Sequence, residues 1–187
     1  MKKHNFDKST HIQGYYISPK ICDDIINFFK KAKHRQGTGR TGYGVNKDAK
    51  DSIDIILNYH DTVLDSYTKQ LQKCVVDYEK CYQGLHSVGR YSPDCEGVNI
   101  QYYKPGGGFK NWHFERQSML RDRLLVFMTY LNDVPNGGTE FFHQKITSPA
   151  KKGLTLIWPA EFTHLHKGQI AKHDKYVITG WYNYIKE

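Results

Sequence analysis

The sequence predicts an α+β chain: a β-sandwich or jelly roll of short strands, with N-terminal helices packed on one of its sheets. Three observations lead there. Apolar residues follow a helical period in the first half and a strand period in the second, with the change near residue 90. Gly- and Pro-rich turns punctuate the second half. A length of 187 residues suits one domain with its own core. Residues 1–187 are therefore read as a single unit, with 1–90 as helical support and 91–187 as the jelly-roll core.

Ser18 and Pro19 read as an N-cap followed by a first-turn proline. Ile21, Cys22, Ile25, Ile26, Phe28 and Phe29 then recur at helical spacing to about Lys33. The segment Gly37–Gly44, which carries Arg40 and Tyr43, reads as a mobile loop. A long helix is expected over about 52–83. It rests on Ile53, Ile56, Leu57, Val63, Leu64, Tyr67, Leu71, Cys74, Val75 and Tyr78, with a break admitted at Tyr59–Asp61. Strands are expected at 98–103, 124–131, 139–143, 153–158 and 176–185. Turns at Lys104–Gly108, Asn132–Gly138 and Ser148–Pro149 separate them.

Lys and Arg total 27 against 19 acids, a formal net charge of +8. A nucleic-acid partner is one reading of that excess. With no Arg-rich block or basic arm, solvated surface lysines are preferred. Cys22, Cys74, Cys81 and Cys95 form no C-x-x-C or zinc-finger pattern and read as reduced thiols. The first residues lack the apolar run of a signal peptide, and no stretch approaches the length of a membrane span. A soluble cytoplasmic protein is the expectation.

His113 and Glu115 stand two apart. On a strand, residues i and i+2 project from one face, so an imidazole and a carboxylate could meet one ion. A third ligand must come from elsewhere, and His164 and His166 are the candidates. Two histidines and one carboxylate leave three positions of an octahedral ion open, as iron(II) oxygenases require. The same set would hold zinc or manganese, and zinc would point to hydrolysis instead. Lys175, nine residues beyond His166, opens the last apolar strand. The co-substrate 2-oxoglutarate has a second carboxylate opposite its metal-binding end, and withdrawn from water that group needs a cation. A solvated lysine is the plain alternative.

Taken in order, the blocks from about Gly97 to Tyr184 resemble the prolyl 4-hydroxylase-like branch of the 2-oxoglutarate and iron(II)-dependent oxygenases. Tyr103 precedes a Gly-rich turn leading to His113 and Glu115. Tyr130-Leu131-Asn132 ends a strand, and Gly137-Gly138-Thr139-Glu140-Phe141 follows. His166, Lys175, Tyr176 and Trp181 close the series. The resemblance implies a double-stranded β-helix core and iron(II) on His113, Glu115 and His166. It implies Lys175 on the far carboxylate of 2-oxoglutarate, Tyr103 hydrogen-bonding in the same region, and Thr179 and Trp181 lining the pocket. Tyr103 serves equally as a core aromatic, and core packing is the stronger alternative for Thr179 and Trp181. His166 is preferred to His164 because Gly168 follows it by two residues and Lys175 by nine, as in the family. His164, expected on the same strand face, would support it or lie further along the strand. Glu115 departs from the usual Asp of this branch. It keeps the charge and the oxygen donor but is one methylene longer, which leaves pocket depth open.

The activity so implied is hydroxylation of a prolyl residue in a peptide or protein, coupled to decarboxylation of 2-oxoglutarate to succinate, with ascorbate as an optional accessory. Such substrates lie extended in an open groove. Trp112, Arg116 and Arg123 are candidates to line it, and Gly37–Gly44 and Gln117–Arg123 to act as lids. Two other classes remain. An oxygenase of nucleic acid or a free metabolite fits the basic charge, but Tyr176–Tyr184 lacks arginine. A metal-free jelly-roll binding module is opposed by the complete ligand set together with Lys175.

Overall fold

The computed structural model describes residues 1–42 and 44–185; Tyr43 of the Gly-rich loop lies outside them. The first elements are β1 (Lys3–His4), β2 (Gln13–Tyr16), α1 (Pro19–Lys31), β3 (Gly37–Thr38), β4 (Lys50–Asp51) and β5 (Ile53–Leu57). Then come α2 (Asp65–Cys81), β6 (Tyr91–Ser92), β7 (Val98–Tyr103), β8 (Gly108–Phe109) and β9 (Arg123–Tyr130). The last are β10 (Thr139–Phe141), β11 (Ile146–Thr147), β12 (Leu154–Pro159), β13 (His166–Gly168) and β14 (Lys175–Tyr184).

The fold is α+β. Among the described residues nine strands form one sheet, in the order β1-β2-β12-β9-β14-β7-β5-β3 with β6 on β14. A smaller sheet runs β11-β10-β13, and β4 pairs with β8. The pairings are antiparallel, so side chains alternate cleanly between two faces. One face carries Ile55, Leu57, Val98, Ile100, Leu125, Phe127 and Ile178, which share a core with the helices. Helix α1 contributes Ile21, Cys22, Ile25 and Phe29, and α2 contributes Tyr67, Leu71, Cys74, Val75 and Tyr78. Both sets repeat every three or four residues, so each helix buries one stripe. Each fully buried Leu, Ile or Phe stabilises the packed state by about 1.5–3 kcal/mol. The other face carries Val126, Tyr130, Leu156, Trp158 and Val177, which pack with Phe141 of the small sheet.

The long helix expected over 52–83 divides. Ile53–Leu57 is a strand, paired with β7 from Ile53 opposite Tyr102 to Leu57 opposite Val98. Its isoleucines are stiff at Cβ and alternate with Asp54, which suits a pleated strand once β7 offers a partner. The helix starts only at Asp65, after a turn around Asn58–Asp61. The sheet also recruits β1 and β2, segments too short to register as strands by period alone. Residues 1–90 thus supply strands as well as helices. Ser18 caps α1 without a side-chain bond, and its N–H donates instead to Gln70 of α2 at 2.9 Å. All four cysteines are free thiols. Among the described residues no helix is long and apolar enough to cross a membrane.

One glycine is required by close approach. Gly180 of β14 stands opposite Phe127 of β9, and a Cβ there would lie 2.2 Å from the Phe127 ring. Phe127 is fully buried, with Tyr67 and Tyr182 as aromatic neighbours, so the ring has nowhere to retreat. Gly180→Ala is expected to destabilise the protein by about 1–3 kcal/mol in urea unfolding, and adding Phe127→Leu should recover part of that loss.

Candidate metal centre and co-substrate cavity

The proposed metal ligands meet because two chain segments clasp each other. The N–H of His113 donates to the carbonyl of His166 at 2.9 Å, and the N–H of His166 donates back at 2.8 Å. His166 opens β13 and lies opposite Phe141 of β10. The strand expected around His113 is instead a single bridge. The chain bends away beyond it, because the N–H groups of Glu115 and Arg116 both donate to Ala160 at the end of β12. His113 and Glu115 still project to one side. Their Nε2 and Oε1 atoms are 3.3 Å apart, and His166 Nε2 is 3.5 Å from the same oxygen. One ligand atom from each of the three lies within 4.8 Å of the others. Neighbouring ligands about 2.1 Å from one ion at right angles would be about 3 Å apart, so the set fits a single cation.

The ring tautomers suit that use. Nδ1 of His113 lies 3.0 Å from the Asn111 carbonyl, and Nδ1 of His166 lies 2.8 Å from the His164 carbonyl. A carbonyl only accepts, so the proton sits on Nδ1 and the Nε2 lone pair faces Glu115. Phe109 stacks on His113 at 3.6 Å, and Phe141 and Trp158 flank His166. Burial pushes the His166 pKa down, helped by neighbouring His113, so its ring is neutral at pH 7. Burial opposes the charge on Glu115, but its contacts with His113 and His166 outweigh that and hold the carboxyl well below its usual range. Neutral imidazoles and an ionised carboxylate are the forms a metal needs. The second oxygen, Oε2, accepts from Arg123 Nη1 at 2.9 Å and from Trp181 Nε1 at 3.1 Å.

A cleft of about 1300 Å³ opens beside this group, with Tyr103, Tyr130, Trp158, Lys175, Val177 and Thr179 in its lining. The alternation of β14 explains the positions: Lys175, Val177, Thr179 and Trp181 all reach the cleft, while Ile178 and Tyr182 enter the helix-side core. Lys175 is only 4% exposed, so it is not a solvated surface lysine. Its Nζ donates to the carbonyls of Gly137 at 3.3 Å and Gln169 at 2.9 Å. No acid pairs with it among the described residues, and burial lowers its pKa to about 8. A buried cation without a counter-ion calls for an anion. Trp158 Nε1 is also buried and lacks a partner, a spare donor in the same lining. Tyr103 turns its ring to Lys175, with Nζ 5.1 Å from the centroid, and its hydroxyl donates to Gln101. Burial, then the charges of Asp54 and Glu115, raises the Tyr103 pKa and keeps that hydroxyl protonated.

All seven predicted site residues, His113, Glu115, His166, Lys175, Tyr103, Thr179 and Trp181, therefore border one cleft. The expectation that His164 shares the face of His166 is overturned. His164 ends a 3-10 turn, Phe162–His164, whose period of three breaks strand alternation. Its Nε2 meets the Thr10 carbonyl at 3.0 Å, away from the metal ligands. Of the three expected groove residues, Trp112 lines the cleft. Arg116 is paired with Glu161 and lies outside the lining. Arg123 lines the cleft too, with its guanidinium buried against Glu96 and Glu115. Thr38, Arg40 and Gly42, and Gln117 and Leu120, place both expected lids at the rim. Sequence reading missed Tyr130 and Trp158, although Tyr130 lies opposite Val177 and alternation along β9 would have found it.

His166→Ala is expected to abolish Mn(II) binding measured by calorimetry. His164→Ala should bind with an affinity within about threefold of the parent while unfolding at lower urea, because it loses the Thr10 contact.

Residues 98–183 match a family model described as the 2OG-Fe(II) oxygenase superfamily. No curated protein matches the sequence. Among solved structures, a viral collagen prolyl hydroxylase from Paramecium bursaria Chlorella virus-1 in its 2OG complex is similar in fold, with a TM-score of 0.68 and 18% identity over 94% of this chain and 97% of that one. A Pseudomonas putida prolyl-4-hydroxylase gives 0.72 and 12%, over 94% of each chain. A Trichoplax adhaerens prolyl hydroxylase in complex with a hypoxia inducible factor oxygen degradation domain peptide fragment gives 0.75 and 13%, over 94% of this chain and 84% of that one. At these identities the likeness is one of fold. The family match spans β7 to β14, the elements that carry the clustered His113, Glu115 and His166 and the buried lysine, and this part of the chain, residues 98–183, belongs to the 2OG-Fe(II) oxygenase superfamily.

Proposed function

We propose that this protein hydroxylates a prolyl residue in a peptide or protein, consuming 2-oxoglutarate and releasing succinate. One observation carries the reading: a two-histidine, one-glutamate cluster and an unpaired buried lysine share a single cleft. His113, Glu115 and His166 would hold iron(II), and Lys175 would hold the far carboxylate of 2-oxoglutarate. Bound there, the metal and co-substrate supply oxidation of a C–H bond by dioxygen, with loss of carbon dioxide from 2-oxoglutarate. The chain's own residues bind, orient and dry the site. Lys175 fixes one end of the co-substrate, so its other end reaches the metal ligands in one orientation. Trp158, Val177 and Tyr130 exclude water along its length.

The fold reading goes with this function. The nine-stranded sheet and β11-β10-β13 are taken as the two faces of a double-stranded β-helix, supported by their common core of Val126, Phe141, Leu156 and Trp158. Residues 1–187 are taken as one catalytic unit, because α1 and α2 share their core with the large sheet. The prolyl substrate is supported by the three similar folds, each of a prolyl hydroxylase. It is supported too by the cleft mouth, where exposed Trp112 meets Phe142 edge-on at 5.3 Å. Flat aromatic surfaces suit proline-rich extended chains.

With iron(II) and 2-oxoglutarate, proline-containing peptides are expected to gain the mass of one oxygen atom as succinate accumulates. Oxidation of oligonucleotides in place of peptides would move the substrate to the nucleic-acid class. Lys175→Ala should raise the KM for 2-oxoglutarate by at least about tenfold, the loss of a charge-assisted contact, and an unchanged KM would reassign the carboxylate's partner.

The pH dependence follows from Lys175. Only the charged amine attracts the carboxylate. Below about pH 8 that form is already present; above it, binding must bring a proton. The Kd for 2-oxoglutarate, measured with Mn(II) bound, is therefore expected to stay flat below about pH 8 and to rise above it, approaching about tenfold per pH unit. Lys175→Arg should flatten that rise, since a guanidinium stays charged.

A further inference from the structure

The two oxygens of Glu115 have different surroundings. Oε1 faces both histidines, at 3.3 and 3.5 Å. Oε2 is taken by two donors, Arg123 Nη1 and Trp181 Nε1. Arg123 also donates to the Glu115 backbone carbonyl at 3.3 Å, so it grips both ends of the residue. It is fixed in turn. Nε and Nη2 donate to the carboxylate of Glu96 at 2.9 and 2.5 Å, and the guanidinium lies 3.5 Å over the Trp181 ring. The Arg123 side chain is 9% exposed and that of Glu115 12%. A planar guanidinium on an aromatic face, with its donors divided between two acids, has little freedom to rotate. The formal charge of this group is one cation against two carboxylates, a net −1, which favours a cation at the free oxygen.

Resting on the reading that His113, Glu115 and His166 bind the metal, we infer that Arg123 and Trp181 are positioning residues that hold Glu115 as a one-oxygen ligand. With Oε2 occupied, only Oε1 is left for the ion, so the carboxylate cannot swing to offer both oxygens and use up a second coordination position. That keeps three positions for the co-substrates. The clamp also accounts for glutamate where a shorter aspartate would be expected. The side chain must reach Arg123 and Trp181 with one oxygen and the histidines with the other. Glu96 is the outer support that holds Arg123 in place.

The test is Co(II) binding to the full chain without 2-oxoglutarate, followed by visible absorption, which reports both affinity and coordination. Trp181→Phe removes the Nε1 donor but keeps a ring beneath Arg123. It is expected to weaken Co(II) 10- to 100-fold, as supporting partners of ligands generally do, and to change the absorption bands as the second oxygen becomes free. Glu96→Gln should weaken binding in the same direction by loosening Arg123. Arg123→Lys keeps the charge but not the fork, and should rescue less than half of the loss seen in Arg123→Gln. Glu115→Asp should weaken Co(II) strongly in the parent. In a Trp181→Phe background it should cost clearly less, because the demand on reach has gone. Circular dichroism separates misfolded variants, and the Trp181→Phe and Glu115→Asp cycle stands without the arginine variants. Parent-like affinity and bands in Trp181→Phe, or additive effects of Glu115→Asp and Trp181→Phe, would overturn the clamp while leaving the metal site intact. A parent protein that binds no Co(II) would overturn the metal reading and the clamp together.

Discussion

The reciprocal backbone bond between His113 and His166 is the constraint on which the site depends. It ties a segment with no regular structure to the first residue of β13, and so gives a loop histidine a fixed position beside Glu115 and His166. Side-chain contacts add to this but could not replace it. Each ring is aimed by its own Nδ1 contact to a carbonyl two residues earlier, so placement and tautomer both come from backbone geometry. A rotamer change in one neighbour would leave that frame standing.

The large sheet serves two purposes because its faces alternate. The side chains of β14 that point one way join the core shared with α1 and α2; those that point the other way form the cleft. Stability and chemistry are therefore coupled through register. A slip of one residue between β14 and β9 would bury Lys175 against the helices and turn Ile178 into the cleft. The contact between Gly180 and Phe127 guards against such a slip, since only a residue without Cβ fits opposite that ring.

Much of this was legible in the sequence. The five strands expected in the second half fell within a residue or two of their observed limits, because β-branched and aromatic runs between Gly/Pro turns leave few alternatives; the two-residue strands β6, β8 and β11 were not expected. The convergence of His113, Glu115 and His166 was legible through spacing and order. Other features were hidden for physical reasons. Ile53–Leu57 has a composition that helix and strand both accept, and the distant β7 decided it. β1 and β2 are too short to show a period. The direction of His164 depended on a 3-10 turn that spacing cannot reveal. Arg123 borders the cleft as its place near His113 and Glu115 in the sequence suggested, but its burial between Glu96 and Glu115 was hidden, because Glu96 lies far from it in sequence.

The N-terminal strands have a consequence beyond the site. β2 lies along β12 from Leu154 to Ile157, and β1 covers β2 in turn. Without them, β12 would become the outermost strand, a run of apolar residues with unsatisfied amide groups open to any other chain. The first sixteen residues thus act as a selvedge that keeps the fabric from fraying, and a chain trimmed of them would be lost to self-association before the cluster of His113, Glu115 and His166 was disturbed.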